Sequence, residues 1–91
     1  MKYTVVWQRW AEDELTEIWL AASSDERASI TEAANSIELF LRYDAYLVGE
    51  SRSENTRIVI VSSLAVTFDV RHDDRIVDIY AVHGLPAAQD G

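Results

Sequence analysis

The 91-residue sequence contains no cysteine, one proline, three glycines and a single lysine, Lys2. Without cysteine the chain cannot form a disulfide, a thiolate nucleophile or a cysteine-ligated metal site. Long apolar runs are missing as well, and the opening segment 1–9 is too short for a signal-peptide core or a membrane span. We therefore expect a cytoplasmic protein without membrane contact.

The common motifs of nucleotide-binding and hydrolytic enzymes are also absent. None of the patterns GxxxxGK[ST], GxGxxG, HExxH and GxSxG occurs. His72 and His83 are the two histidines, and two such ligands without cysteine are too few for a typical zinc site. We expect neither a bound metal nor another cofactor.

The charge balance is strongly acidic. Sixteen Asp and Glu residues face eight Lys and Arg residues, which gives a formal net charge of -8. Because proteins bind nucleic acids largely by neutralising phosphates, we expect no direct binding to DNA. Five of the seven arginines lie at position 42 or later. The sequence is therefore compatible with a local basic site in the second half of the chain, since arginine suits bidentate contacts to phosphate or carboxylate.

Hydrophobic periodicity predicts that the chain begins with a strand and two helices. Segment 2–7 is rich in β-branched and aromatic residues, which is typical of a strand. Apolar residues then recur at helical spacing in two segments, separated by Ser23–Asp25, which offers an N-cap. The two predicted apolar stripes consist of Ala11, Leu15, Ile18, Trp19 and Ala22, and of Ile30, Ala33, Ala34, Ile37, Phe40 and Leu41.

From residue 56 onward the periodicity changes to two, which predicts a meander of three antiparallel strands. We expect strands at 56–61, 64–71 and 76–82, joined by turns at Ser62–Ser63 and His72–Arg75. Residues 1–85 are then one domain, and 86–91 form a flexible C-terminal tail.

Strand alternation assigns the side chains of the meander to two faces of the sheet. The face predicted to meet the helices carries Ile58, Ile60, Leu64, Val66, Phe68, Val70, Val77, Ile79 and Ala81. The opposite face carries Arg57, Val59, Val61, Thr67, Asp69, Arg71, Asp78, Tyr80 and Val82. The apolar members of this face are Val59, Val61, Tyr80 and Val82. Exposed apolar residues are common on ordinary surfaces, but four on one face also fit a partner-binding surface. Its candidate residues are Val59, Val61, Arg71, Tyr80 and Val82.

A second candidate site combines basic residues of the second half. An RNA-cleaving site without metal needs a base for the 2′-hydroxyl, a cation for the phosphate and an acid for the leaving group. Arg52, Arg57 and His83 are the candidate catalytic residues, with Tyr80 near them. The structural alternative is that Arg57 pairs with an acid such as Asp69.

The order of the predicted elements and several local strings resemble the RelE/ParE superfamily of bacterial type II toxin–antitoxin toxins. Segments 3–7 and 11–19 resemble the first strand of the family and its A-x-x-D/E-L-x-x-I helix. Segments 48–52 and 56–58 resemble the entry to the meander of the family. Segments 64–70 and 73–77 resemble the hairpin within that meander. The likeness covers about residues 2–84. It implies an α+β fold of order β-α-α-β-β-β, with an antiparallel sheet packed on a two-helix hairpin.

The resemblance also implies a role in growth inhibition and plasmid stabilisation, held in check by a cognate antitoxin. RelE-like members cleave mRNA in the ribosomal A site, whereas ParE-like members inhibit DNA gyrase. Active members usually carry an arginine in the middle strand, where this chain has Ala65 or its neighbour Val66. Many end the last strand with arginine and then tyrosine, where this chain has His83–Leu85. A charge of -8 also opposes docking on ribosomal RNA.

We therefore expect a toxin that acts by binding an antitoxin and a cellular target, either as a ParE-like gyrase inhibitor or as a catalytically weakened member. The first alternative is a RelE-like, ribosome-dependent mRNA endoribonuclease that uses Arg52, Arg57 and His83. The second alternative is a non-toxic structural domain with the same fold.

Overall fold

The computed structural model describes residues 2–45, 50–51 and 56–85, which form two helices and a five-stranded sheet. The elements are β1 (Thr4–Trp7), α1 (Arg9–Ala21), α2 (Ser24–Asp44), β2 (Glu50–Ser51), β3 (Thr56–Val61), β4 (Leu64–Arg71) and β5 (Ile76–Gly84). The predicted α+β order is confirmed, with β2 as an additional two-residue strand. Arg52 and residues 86–91 lie outside the described residues. No helix in the described part of the chain is both long and apolar enough to span a membrane.

The strands are arranged in the order β1-β5-β4-β3-β2. The pairs β3–β4 and β4–β5 are antiparallel, as the predicted meander requires. β1 pairs with β5 in parallel, from Thr4 opposite Ile76 to Trp7 opposite Ile79. The sheet is therefore mixed, and this one pairing differs from the antiparallel sheet that we expected. Parallel neighbours need a long connection between them, and the helical hairpin after β1 begins such a connection.

The hydrophobic core lies between α2 and one face of the sheet, which we call the inner face. α2 contributes the buried residues Ile30, Ala33, Ile37 and Leu41, and the meander contributes Val59, Leu64, Val66, Phe68, Val70, Val77, Ile79 and Val82. α1 buries only Ala11 fully, while Leu15, Ile18 and the C-cap residue Ala22 pack against the core in part. Trp19 and Phe40, the two aromatic members of the predicted stripes, stay 37% and 44% exposed because they lie at the margins of those stripes.

The predicted face assignment is wrong for β3. Its two-residue turn, Ser62–Ser63, places Val61 directly opposite Leu64, and cross-strand partners share a face. Because Leu64 is in the core, Val61 and Val59 also point to the inner face, where Val59 is buried and Val61 packs against the core. Ile60 points outward and is 58% exposed.

The assignment is also wrong for Val82, because β5 contains a bulge. Thr67 pairs with Ala81 whereas Phe68 pairs with Ile79, so Tyr80 is an extra residue on β5. An extra residue shifts the alternation by one position. Val82 therefore returns to the inner face and is only 2% exposed. Val59 and Val82 thus belong to the core and Val61 packs against it, so these three residues do not lie on the outer face, where the alternation predicted a partner surface.

The two helices meet at a short connection with capped ends, as the sequence predicted. Ser23 is the N-cap of α2, where its hydroxyl accepts from the Glu26 N–H and the Glu26 carboxylate accepts from the Ser23 N–H at 2.8 Å. The backbone hydrogen bond from Ser23 lowers the pKa of Glu26. At the end of α1, Arg27 donates to the carbonyls of Trp19 and Leu20 at 2.8 and 2.9 Å.

α1 covers the edge of β5 that β1 leaves free. β1 ends opposite Ile79, and the Gln8 N–H donates to the Ile79 carbonyl at 3.0 Å as the chain turns into α1. Further along, the Glu14 carboxylate accepts from the Val82 N–H at 3.0 Å. Glu14 lies outside the apolar stripe that the sequence predicted for α1. Its actual position satisfies a backbone donor that has no strand beside it.

Replacing Glu14 by alanine removes the acceptor of this donor. We expect the Glu14→Ala variant to lose about 1–2 kcal/mol in the free energy of unfolding, because the Val82 N–H is left without a protein partner. Urea denaturation measures this difference. The matched control is Glu17→Ala, an exposed glutamate of the same helix, which should change stability by less than about 0.5 kcal/mol. Equal losses in both variants would contradict the role of Glu14 at this edge.

Candidate functional site

The outer face of the sheet, opposite the helices, carries two carboxylates at its centre. Val70 and Val77 point into the core, so their strand neighbours Asp69 and Asp78 point outward. Asp69 lies directly opposite Asp78 across the pair β4–β5. Like charges in this position repel each other. The outer face is therefore stable only where donors surround the two groups.

Four side chains supply these donors. Arg71 forms an ion pair with Asp78 at 3.0 Å, and Gln8 donates to Asp78 at 3.2 Å. Asp78 is only 5% exposed, so its carboxylate has little contact with water. Arg71 and Gln8 supply the hydrogen bonds that water would otherwise provide. Asp69 accepts hydrogen bonds from the hydroxyls of Thr56 and Tyr80.

Tyr80, the extra residue of the bulge, connects this cluster to α1. Its ring stacks on Trp10 with centroids 6.4 Å apart and planes 24° apart. Burial raises the pKa of Tyr80, and the negative charges of Asp69 and Asp78 raise it further, while Arg71 acts in the opposite direction. We define the outer-face cluster as Asp69, Arg71, Asp78, Tyr80 and Trp10. Its carboxylate, guanidinium and hydroxyl groups are held by one another or by neighbouring side chains.

The structure does not bring Arg57 and His83, the two described candidate catalytic residues, together. Arg57 lies opposite Phe68 and two positions before buried Val59, so it starts on the inner face. His83 lies opposite Ala65 on the outer face, is exposed, and follows Asp78 by five positions, about 16 Å along an extended strand. The two side chains therefore project from opposite faces of the sheet. Arg52, the third candidate, lies outside the described residues.

Of the residues predicted to bind a partner, Arg71 and Tyr80 do lie on the outer face. Sequence reasoning missed Gln8, Trp10 and Thr56, which contact the same cluster. Gln8 and Trp10 come from the junction of β1 and α1, and no motif links them to β5. Only Thr56 could have been predicted from the sequence. The two-residue turn Ser62–Ser63 sets the register of β3 and β4, and this register places Thr56 opposite Asp69.

A second surface is the groove between α1 and α2. Two adjoining cavities of about 270 and 240 Å³ run along it and share four lining residues. The shared residues are Leu15, Thr16, Ala34 and Asn35, one end adds Trp7, Glu12 and Glu38, and the other end adds Trp19, Ile30 and Thr31. We call this surface the interhelical groove. At its first end the Trp7 indole N–H donates to Glu38 at 3.1 Å, and Glu38 also pairs with Arg42 at 3.2 Å.

Comparisons with known proteins give the class of the fold. No protein-family model matches the sequence, and no curated protein matches it. Among solved structures, the chain is similar to the chromosomal ParDE toxin–antitoxin system of P. aeruginosa, with a TM-score of 0.72 and 14% identity over 93% of this chain and 98% of that chain. It is also similar to the RelBE2 toxin–antitoxin complex of Mycobacterium tuberculosis, with a TM-score of 0.68 and 17% identity over 92% of both chains.

A third similar structure is the archaeal RelE–RelB complex of Pyrococcus horikoshii OT3, with a TM-score of 0.66 and 11% identity over 97% of this chain and all of that chain. At these identities the likeness concerns the fold. The chain therefore has the RelE/ParE-type toxin fold, as the sequence resemblance predicted.

The pKa of Tyr80 offers a test of the outer-face cluster. We expect Tyr80 to ionise above its ordinary value of 10.0, with a lower pKa in Asp69→Asn and a still higher pKa in Arg71→Gln. The pKa is raised in the folded protein, so this contribution to stability is complete below pH 10 and is lost as pH rises through the raised value. NMR titration of ring-labelled tyrosine measures the three values. Shifts in the same direction in both variants would contradict the arrangement.

Proposed function

We propose that this protein is the toxin of a type II toxin–antitoxin system and that it acts in the cytoplasm by binding, first to its antitoxin and then to a cellular target. The fold supports this proposal, since the similar structures are toxin–antitoxin complexes whose chains match over almost their full length. Because these structures are toxin–antitoxin complexes, we expect this chain to have an antitoxin protein as its partner. The role is ParE-like gyrase inhibition or that of a catalytically weakened member.

The observation that favours binding over RNA cleavage is the chemistry of the outer face. A metal-free RNA-cleaving site stabilises a phosphate with cations placed beside the acid and base. Here the centre of the face carries Asp69 and Asp78, and Arg71, the arginine that the described residues place there, already pairs with Asp78. A phosphate approaching this centre meets two carboxylates, which repel it. His83 lies well away from Arg71 along the sheet.

Expression in a bacterium tests the proposal directly. We expect induction of the chain to stop growth, and co-expression of a small antitoxin from a neighbouring gene to restore it. Parallel measurements of plasmid supercoiling and of translation then separate the targets. Loss of supercoiling with translation intact at early times fits gyrase inhibition. Normal growth at full expression of the folded chain would contradict a toxin and favour a structural domain.

The RNA-cleaving alternative has its own test. If the chain acts by binding, mRNA on translating ribosomes stays intact after induction, and the Arg57→Ala and His83→Ala variants stop growth as the parent does. Mapping of mRNA 5′ ends after induction measures cleavage. Ribosome-dependent cuts in the parent that disappear in Arg57→Ala would establish the endoribonuclease instead.

A further inference from the structure

One carboxylate of the outer face keeps a negative charge that no other described residue neutralises. Asp78 pairs with Arg71 at 3.0 Å, so the charge of Asp78 is balanced. Asp69 instead accepts hydrogen bonds from the hydroxyls of Thr56 and Tyr80, which are uncharged donors. Within the described part of the chain, no arginine, lysine or histidine forms an ion pair with Asp69. The centre of the outer face therefore attracts a cation and repels an anion.

Asp69 also has room for another hydrogen-bond donor. An ionised carboxylate offers about four lone-pair positions, and the hydroxyls of Thr56 and Tyr80 use two of them. The Asp69 side chain is half-buried, so part of it stays open to the outer side of the sheet. An incoming cation can therefore bind this carboxylate without displacing either hydroxyl.

An aromatic surface lies beside the carboxylate. The Trp10 ring stacks on the Tyr80 ring, and the same tyrosine donates its hydroxyl to Asp69. Trp10 is 54% exposed, so much of its ring is open to a partner. A guanidinium group both stacks on aromatic rings and forms bidentate bonds to carboxylates, whereas an ammonium group is a compact, strongly hydrated point charge. An arginine side chain is therefore the cation that fits both neighbours.

The adjoining part of the outer face is apolar. Ile58 and Ile60 follow Thr56 at intervals of two residues along β3, so their side chains lie on the same face. Because Thr56 is opposite Asp69, the two isoleucines lie about 7 and 14 Å beyond the row of that carboxylate. Ile60 is 58% exposed, and its cross-strand partner Ala65 is small and uncharged. An extended peptide repeats its side chains on one side at the same interval of about 7 Å.

These features discriminate between the possible occupants of the face. A nucleic acid brings phosphates, which Asp69 repels. In a second copy of the chain, Arg57 and Arg75 are the arginines followed by apolar residues at i+2 and i+4. Those apolar residues are 59 and 61 in one case and 77 and 79 in the other, and they are buried in the core or packed against it. A second copy therefore has no such segment to offer among its described residues.

We propose that the outer face binds an extended segment of a partner protein that presents an arginine with apolar residues two and four positions away. The arginine pairs with Asp69 and stacks on Trp10, and the apolar side chains lie on Ile58 and Ile60. The inference goes beyond the proposed function, because it states the chemistry of a partner without requiring that the chain stop growth.

Short peptides of matched design test the face without knowledge of the partner. The probe has seven residues and blocked ends, with arginine at its second position, valine at its fourth and sixth, and threonine or glycine elsewhere. One control peptide carries citrulline in place of arginine, which has nearly the same shape and no charge, and another carries lysine. We expect the arginine peptide to bind with a dissociation constant of about 0.1–1 mM, as a short flexible ligand does.

The two control peptides should bind at least about fivefold more weakly than the arginine peptide. Equal binding of the citrulline peptide would exclude the ion pair with Asp69. Equal binding of the lysine peptide would exclude the specific fit of a guanidinium group. Either result overturns the proposal.

The three tryptophans report where the peptide binds. Trp10 lies at the outer face, whereas the Trp7 indole donates to Glu38 and the Trp19 ring contacts Arg27. In a ¹H–¹⁵N spectrum each indole N–H gives its own signal. Addition of the arginine peptide should shift the signal of Trp10 and leave the other two in place. Shifts confined to Trp7 or Trp19 would move the binding site to another surface and overturn the proposal.

The same indole signal tests the rival occupants. A single-stranded RNA oligonucleotide should leave the Trp10 signal unchanged, and so should an increase in protein concentration without peptide. A shift with RNA would assign the face to a nucleic acid. A shift with protein concentration would assign it to a second copy of the chain. Both outcomes contradict the proposal.

Removal of one carboxylate charge provides the first pair of matched variants. Asp69→Asn keeps an amide oxygen that can accept from a hydroxyl, and Asp73→Asn makes the same change at an exposed position of the β4–β5 turn. We expect Asp69→Asn to weaken binding of the arginine peptide about tenfold and Asp73→Asn to change it less than twofold, because screening limits distant charges. The citrulline peptide should respond to neither. Equal weakening by both variants would reduce the effect to overall charge and overturn the proposal.

A second pair of variants tests the aromatic contact and does not alter the carboxylates. Trp10→Leu removes the exposed ring at the outer face, and Trp19→Leu makes the same change elsewhere on α1. Binding, followed through the backbone amide signals of β4, should weaken about fivefold in Trp10→Leu only. Unchanged binding in Trp10→Leu would overturn the proposal. None of these measurements depends on growth arrest, so failure of this surface can be distinguished from failure of the toxin function.

Discussion

The contact between α1 and the free edge of β5 determines where the other surfaces of this protein lie. The chain leaves β1 at Gln8, whose N–H bonds to Ile79, and continues as a helix along the edge that β1 no longer covers. Glu14 satisfies the Val82 N–H, and Ile18 packs beside Gly84. This path brings the first turn of α1 over the outer face while its other side faces α2. The outer-face cluster and the interhelical groove are thus two flanks of one helix.

The outer-face cluster shows how a sheet can hold two like charges in adjacent positions. Asp69 and Asp78 would repel each other across the strands if they stood alone. Each instead has its own donors, with Arg71 and Gln8 at Asp78 and hydroxyl groups at Asp69. These donors come from four parts of the chain, the β1–α1 junction, β3, β4 and β5, so the cluster depends on the complete fold. Removal of one partner leaves a carboxylate that is costly to keep near the protein interior.

The order of elements and both strand turns could be predicted from the sequence, because helical and strand periodicities are local properties. The face of each strand could not be read from alternation alone. Val59 and Val61 change face through the pairing set by the turn Ser62–Ser63, and Val82 changes face through an extra residue at Tyr80. Register and bulges depend on contacts between strands, which a single sequence pattern does not contain. For the same reason the sequence predicted only part of the outer-face cluster. It indicated Arg71 and Tyr80 but not Gln8 or Trp10.

The bulge at Tyr80 divides β5 into two segments that are out of phase with each other. Before it, odd-numbered residues such as Val77 and Ile79 face the helices, and after it the even-numbered Val82 does so. Loss of Tyr80 would restore a regular strand in which Ile79 and Val82 still face inward with Ala81 between them, so the side chains beyond the bulge would keep their faces and partners. The bulge is therefore a place where β5 can lose a residue without turning its later side chains over. Such a deletion would change the outer face instead of the core, because it removes the ring that stacks on Trp10 and the hydroxyl that donates to Asp69.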